Sequence, residues 1–342
     1  MAVTLDDVAK LAGVSPRTVS NVVNDYPFVA EATRQRVLDA IAKLGYQPNL
    51  AARNLRRGRS GMVALVVPEL GVPYFSELAS AVIEEVDKRS TTLVIEQTNG
   101  DPDRERIVLS QRGGRVFDGF IFSPLGLGAG ELRRIGTKAP IVLLGERIDE
   151  GPFDHVTMDN VGAARSAVEH LISLGRHRIA AIGDQPFETG ETAQLRTAGY
   201  REALAAAGIS YEPELVISTP HFHRAIGAAA METLLERPEP PDAVFCYNDL
   251  LAAGALRTVL TRGLRVPDDI AIAGFDDIEE GRYLTPSLTT VSPDKQQIAT
   301  RAVQQLFERI DGSEADATRY EVPFQLVIRE STVGLRTGSP PS

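Results

Sequence analysis

Arg17 and Asn21 stand four positions apart in the stretch TLDDVAKLAGVSPRTVSNVVN, residues 4–24. On a helix that spacing puts both side chains on one face. A guanidinium can donate two hydrogen bonds to guanine O6 and N7, and a carboxamide can pair with adenine N6 and N7. This is the chemistry of reading base edges in a major groove. Ser20 and Asn24 share the face and suit phosphate contacts, while Pro16 offers only an apolar surface, suited to a thymine methyl. A second set of polar and aromatic residues lies far downstream, just after apolar runs: Tyr74 and Phe75, Ser123, Glu146, Asn248 and Asp276. Arg196 and Phe222 lie on segments expected to face the same cleft. Rings that stack, together with carboxylate, amide and guanidinium groups, suit a small polyhydroxylated or heterocyclic ligand. Plain alternatives stay open for single residues: Asp249 or Asp276 as a helix cap, Tyr74 or Phe222 as core.

The elements that carry the first set read as a helix-turn-helix. Thr4 and Asp7 form a short capping box, and Leu5, Val8, Ala9 and Ala12 make one apolar face. Gly13 ends that helix. Ser15 caps the next, and Pro16 takes its first position, where a missing N–H costs nothing. Val19, Val22 and Val23 point inward, leaving Pro16, Arg17, Ser20, Asn21 and Asn24 outside. A third helix is expected from about Ala32 to Leu44, with Val37, Leu38, Ile41 and Leu44 as its apolar side and Gly45 as its stop. Any small helical bundle could share this pattern, so charge has to discriminate.

A net charge of -10 over 342 residues looks wrong for a nucleic-acid binder. Its distribution resolves the conflict. Residues 1–60 hold 9 Lys/Arg against 5 Asp/Glu, a balance of +4, and the remainder holds 27 against 41, a balance of -14. A basic head on an acidic body is drawn to phosphates while the body is kept off them. So small an excess favours two copies acting together. The segment YQPNLAARNLRRGRSG (46–61) joins head to body. It reads either as a flexible basic linker or as a short helix that forms only on DNA, being too short to be stable alone. In the second case Arg53, Arg56 and Arg57 lie near phosphates and Leu55 is an apolar wedge in the minor groove.

The length implies two or three domains. No apolar run approaches the roughly 18 residues of a membrane span, and no signal-peptide layout stands at the N-terminus. A single cysteine, Cys246, excludes an internal disulfide framework and fits a reducing cytoplasm. From Met62 onward, MVALVVP, TLVIEQ, GFIFSP, PIVLLG, RIAAIG, AVFCYN and IAIAGF read as buried parallel strands. Residues 76–89, 161–174, 193–207, 225–236, 249–262 and 295–310 read as the helices between them. This is a doubly wound α/β pattern in two sheets, in which ligands bind beyond the carboxyl ends of the strands.

The head motif, TRQRVLDAIAKLGYQPNLAARNLRRGRS after it, and the body motifs SLGRHRIAAIG, YNDLLAAGAL, GLRVPDDIAIAGFDD and TPSLTTV resemble the lactose/galactose repressor family of bacterial transcription regulators. The resemblance spans residues 3 to about 333. It implies an all-α helix-turn-helix head on a two-lobed α/β body of the periplasmic-binding-protein type, with parallel sheets. The implied boundaries are 1–47 for the head, 48–59 for a hinge helix or linker and 60–333 for the body. Lobe one is then about 60–160 plus 290–320, lobe two about 161–289 plus 321–333, and 334–342 a disordered tail. Matched by position, the family's effector contacts fall on Phe75, Ser123, Arg196, Phe222, Asn248 and Asp276, with Tyr74 beside Phe75. Two departures bear on the ligand: Gly145 followed by Glu146 where the family often has Asp, and Pro293 where it often has Gln.

The reading is therefore a cytoplasmic, ligand-responsive repressor that binds a near-palindromic double-stranded operator as a homodimer. A sugar or sugar derivative is the expected effector; a purine or nucleoside corepressor on the same architecture is the alternative. Without a tail of leucine heptads, a dimer is expected rather than a tetramer. No cofactor, metal or enzymatic activity is expected. GLGAGE (126–131) lacks the Lys-Ser/Thr ending of a phosphate loop and reads as a loop. HFHR (221–224) lacks a downstream ligand pair and reads as surface loop. No nucleophile, base and orienter set is found.

Overall fold

The computed structural model describes residues 3–23, 26–46, 59–113, 116–148, 151–187 and 189–334. The chain divides into two compact units, Met1–Gly61 and Met62–Ser342.

In the first unit, α1 (Leu5–Ala12) begins with the reciprocal Thr4–Asp7 capping box and ends at Gly13, which is left-handed at φ 65°. α2 (Pro16–Val23) starts with the Ser15 Oγ accepting from Thr18 N at 3.1 Å. α3 (Glu31–Leu44) ends at left-handed Gly45. Val8, Ala9, Val19, Val22, Val37 and Ala40 form the core, with Val23, Ile41 and Leu44 at its edge. Leu38 is a correction to the sequence expectation. It lies 100° around the helix from Val37 and is exposed, and Ala40 fills the inward position instead. Asn24 lies outside the described residues, as do Arg53, Leu55, Arg56 and Arg57, most of the 48–59 linker, and the tail beyond Gly334.

The second unit holds two six-stranded sheets. The elements in chain order are β1 (Met62–Val67), α4 (Pro73–Asp87), β2 (Thr92–Gln97), α5 (Pro102–Arg112), β3 (Gly119–Phe122), α6 (Ala129–Ile135), β4 (Ile141–Leu144) and β5 (Asp154–Met158). They continue with α7 (Asn160–Ser173), β6 (Ile179–Asp184), α8 (Glu191–Ala206), β7 (Val216–Ser218), α9 (Arg224–Leu235), β8 (Ala243–Cys246), α10 (Asp249–Thr261) and β9 (Ala271–Phe275). Last come α11 (Glu279–Tyr283), β10 (Thr289–Pro293), α12 (Lys295–Ile310), β11 (Arg319–Val322), β12 (Phe324–Val327) and α13 (Glu330–Val333). Lobe one has strand order β11-β5-β4-β3-β1-β2, and lobe two β12-β10-β9-β8-β6-β7. The strands pair in parallel except β10 with β12. Valine, leucine, isoleucine and phenylalanine from the strands fill both faces of each sheet, as helix-covered parallel sheets require.

The chain passes between lobes three times: after β5, after β10 and after β11. Two of these boundaries differ from the sequence expectation. Thr289–Val291 pair with β9, and Thr290–Pro293 pair with β12, so residues through Pro293 belong to lobe two. Glu321 and Val322 pair with β5 and belong to lobe one.

Candidate functional site

On α2, Pro16 and Arg17 are exposed and Ser20 and Asn21 half-buried, on the side away from Val19 and Val22. The helix begins one residue after a turn, so its first two residues stand at its tip. This is the geometry of a helix that reads bases with its N-terminal residues.

Between the two lobes of the body lies a cavity of about 390 Å³. Tyr74, Phe75, Ser123, Glu146, Arg196, Phe222, Asn248 and Asp276 all line it. They arrive from both lobes, and all but Arg196 follow a strand end or stand at a helix start there. Tyr74 and Phe75 occupy the first turn of α4, with their rings edge to face at 5.2 Å. Ser123 and Glu146 follow β3 and β4. Asn248 and Asp276 follow β8 and β9, and Arg196 lies in the second turn of α8.

A polar chain crosses the cavity floor. Glu146 accepts hydrogen bonds from Thr157 Oγ1, Met158 N and Asn160 Nδ2, the last at 3.0 Å. Asn160 Oδ1 in turn accepts from Arg196 Nε at 2.9 Å. Arg196 also donates to the Tyr247 carbonyl, and its plane lies 3.5 Å from the Phe275 ring centroid. Its remaining nitrogen, Nη2, stands 3.9 Å from Asp276 Oδ1. Burial works against the guanidinium charge and Asp276 supports it. Asn160 was missed in the sequence because it opens a helix directly after Asp159, where an Asn reads as one more capping residue.

Asp276 is a perturbed carboxyl that faces the cavity. Burial pushes its carboxyl up to about 6, against the pull of Arg196 and Lys295. Its backbone lies at φ 109°, followed by Asp277 at φ 46°, a left-handed pair that costs of order 1–3 kcal/mol per residue. The pair is held from outside. Lys295 Nζ donates to the carbonyls of Asp276 at 2.6 Å and Asp277 at 2.9 Å, and Arg329 and Arg282 pair with the Asp277 carboxylate. Asp249 behind them is fully buried and pins the neighbouring loop, accepting from Thr290 Oγ1 and Ile278 N. The cap of α10 is Asn248 instead, which accepts from Leu251 N at 2.9 Å.

Several of the lining groups already hold partners within the protein, Glu146 and Asn248 among them. Others are not. Among the described residues, the Tyr74 hydroxyl, the Ser123 hydroxyl and the Asp276 carboxylate take part in no hydrogen bond, while all three line the cavity. Burial and nearby Asp276 hold the Tyr74 hydroxyl protonated well past its ordinary range.

Two side-chain contacts bridge the lobes at the cavity wall: the ion pair of Arg147 with Glu191, and His223 Nε2 with Glu69 Oε2 at 3.3 Å. His221 and His223 line the cleft from the loop that precedes α9, with His221 exposed. No metal-holding group of side chains occurs among the described residues. The wall is also braced from behind. Glu105 of α5, fully buried, accepts from the backbone N–H groups of Leu125, Gly126 and Leu127 at 2.9, 3.1 and 2.8 Å. It thereby fixes the loop that follows Ser123.

Comparison with known proteins places both units. Residues 4–49 match the family described as bacterial regulatory proteins, lacI family, and residues 168–332 match a periplasmic binding protein-like domain. The chain is 34% identical over 334 residues to the HTH-type transcriptional repressor PurR of Mannheimia succiniciproducens, covering 96% of this chain and 98% of that one. Among solved structures, a transcriptional regulator CelR–cellobiose complex is 33% identical with a TM-score of 0.72, covering 96% and 99%. A lac repressor dimer bound to operator and the anti-inducer ONPF superposes with a TM-score of 0.83 at 27% identity, covering 97% and 99%. No helix among the described residues is long and apolar enough to cross a membrane.

Proposed function

Because the chain belongs to the lacI family of bacterial regulatory proteins, whose members are ligand-responsive transcription regulators, we propose that it is a dimeric repressor released from or held on its operator by a saccharide. The observation that carries the effector class is the unfilled hydrogen-bonding capacity of the cavity. Asp276 can accept from two hydroxyls, Ser123 and Tyr74 can each donate and accept, and Tyr74, Phe75 and Phe222 offer ring faces to the apolar side of a sugar. A similar structure in complex with cellobiose supports the same class.

In this reading two copies present Pro16, Arg17, Ser20 and Asn21 of α2 to successive major grooves, with Arg17 on guanine and Asn21 on adenine. Asn24 and Arg53 and Arg56 contact phosphates, and paired Leu55 side chains wedge the minor groove between the half-sites. The three crossovers act as the hinge about which the lobes rotate when an effector binds. A coupling free energy of typically 1–3 kcal/mol then changes operator affinity. The site of action is the cytoplasm.

A purine-type effector is the second reading. It is favoured by the aromatic group of Tyr74, Phe75 and Phe222 and by the similarity to PurR. Thermal denaturation of the protein against sugars, sugar phosphates, nucleosides and purines separates the two. A ligand at a hundred times its dissociation constant adds about 2.7 kcal/mol, which raises the midpoint by several degrees. A hit among the sugars that also alters operator retention supports the first reading, and a hit only among purines replaces it.

A further inference from the structure

We propose that the effector carries no phosphate or carboxylate: the cleft is built for an uncharged or cationic saccharide. This rests on the saccharide reading above and narrows it. The first observation is charge. Among the described residues that line the cavity, Glu69, Glu146, Glu191 and Asp276 are carboxylates, against only two guanidinium groups, Arg147 and Arg196. Both arginines already face a carboxylate, Arg147 that of Glu191 and Arg196 that of Asp276. Two of the five N–H donors of Arg196 are engaged, by Asn160 and Tyr247, and the Phe275 ring covers one face of the guanidinium. Nη2 lies beside Asp276, so an anion reaching it would meet a carboxylate at the same moment.

The second observation is independent of side-chain charge count. Five helices start at the cavity wall, and helix starts are where a fold ordinarily binds phosphate. Here the chain caps two of them with its own side chains and sets an acid in the first turn of a third. Asp159 caps α7, accepting from Gly162 N at 2.8 Å. Glu191 is the first residue of α8. Asn248 caps α10 and Asp249 stands in its first turn. At α9 the N-cap His223 makes no side-chain cap, and its Nε2 lies 3.3 Å from Glu69 Oε2. The fifth, α4, opens with Pro73, which has no N–H to give, followed by the packed rings of Tyr74 and Phe75. Three of these positive ends are thus capped or carry an acid, and the Asp276 carboxylate, which faces Arg196 but accepts no hydrogen bond, calls for donors from the ligand.

The test is calorimetric titration of the full chain with matched pairs: glucose and glucose 6-phosphate, ribose and ribose 5-phosphate, cellobiose and cellobionate, adenosine and adenosine monophosphate. In any pair that binds, the uncharged member is expected to bind at least tenfold tighter, because a like charge within a few ångströms in a partly desolvated cleft is strongly unfavourable. Glucosamine is expected to bind no worse than glucose where glucose binds. In the Glu69→Gln and Glu191→Gln variants the preference against the charged member is expected to narrow by severalfold. A phosphorylated or carboxylated member that equals or exceeds its parent overturns the inference. Adenosine binding in preference to its monophosphate, with no saccharide binding, supports the charge rule while overturning the saccharide reading. Failure of every uncharged compound to bind overturns both.

Discussion

Asn160→Ala is the sharpest perturbation of the cavity floor, because one carboxamide serves two opposite charges there. Its Nδ2 donates to Glu146 and its Oδ1 accepts from Arg196, and the side chain is 3% exposed. Alanine removes both hydrogen bonds at once. A hydrogen bond to a charged group contributes about 1.5–3 kcal/mol. Glu146 keeps Thr157 and Met158 N, and Arg196 keeps Tyr247, so the loss is below the sum of two full contributions. Water from the cavity replaces part of what is lost. We expect about 3 kcal/mol, read as a midpoint lowered by about 6 °C in a unit of this size, together with weaker effector binding because Arg196 is no longer held. Asn160→Asp sharpens the test. It still accepts from Arg196 but sets a second carboxylate against Glu146, so its midpoint is expected to fall at pH 7 and to recover towards wild type on mild acidification. Scanning calorimetry with and without effector measures both. A midpoint within a degree of wild type for Asn160→Ala, with effector affinity intact, would refute the reasoning.

Effector affinity should be flat above about pH 7 and fall as pH drops through about 6, because Asp276 must be ionised to accept two hydroxyls; titration at several pH values reads this. The sign for stability is opposite. Between its ordinary value of 3.8 and about 6, folded Asp276 holds a proton that the unfolded chain has lost, so acidification through 6 relieves its burial cost. Arg17→Ala should cost about 1–3 kcal/mol on the preferred operator and flatten preference at one base pair, seen by competition among operator variants. Leu55→Ala should weaken operator binding while leaving non-specific affinity nearly unchanged, and equal operator affinity would dismiss the wedge. Glu105→Ala strands three backbone N–H groups and should lower stability by at least about 3 kcal/mol in denaturant titration.

The parts of the fold that were readable are those where local chemistry and tertiary packing agree. Thr4 with Asp7, Gly13, and Ser15 before Pro16 each act within a few residues, so the helix-turn-helix could be drawn from its caps. The apolar strands of the sheet centres were equally plain. The strands DHVTM, VIS, RYEV and FQLV were not, because they are short or carry polar residues, and their hydrogen bonds go to partners far along the chain. Tyr74, Phe75, Ser123, Glu146, Asn248 and Asp276 were picked as residues following strands, a rule of topology, whereas Arg196 and Phe222 came from the family resemblance. Asn160, Glu69 and Glu191 escaped because their roles are set by what faces them across the cleft. Leu38 shows the reverse failure, an apolar residue read as core that sits one step off the buried stripe.

Strands β11 and β12 have a meaning for how the protein is made. Each lies at one edge of a sheet, and both come from the last tenth of the chain. During translation the helical unit emerges first and holds its whole core within residues 3–46. Both lobes of the body, by contrast, wait for a closing strand that is made after the other strands of their sheets. A ribosome that stops after the helical unit but before Val327 therefore releases a complete helix-turn-helix unit attached to an unfinished body, and clearing such fragments becomes part of keeping the switch responsive.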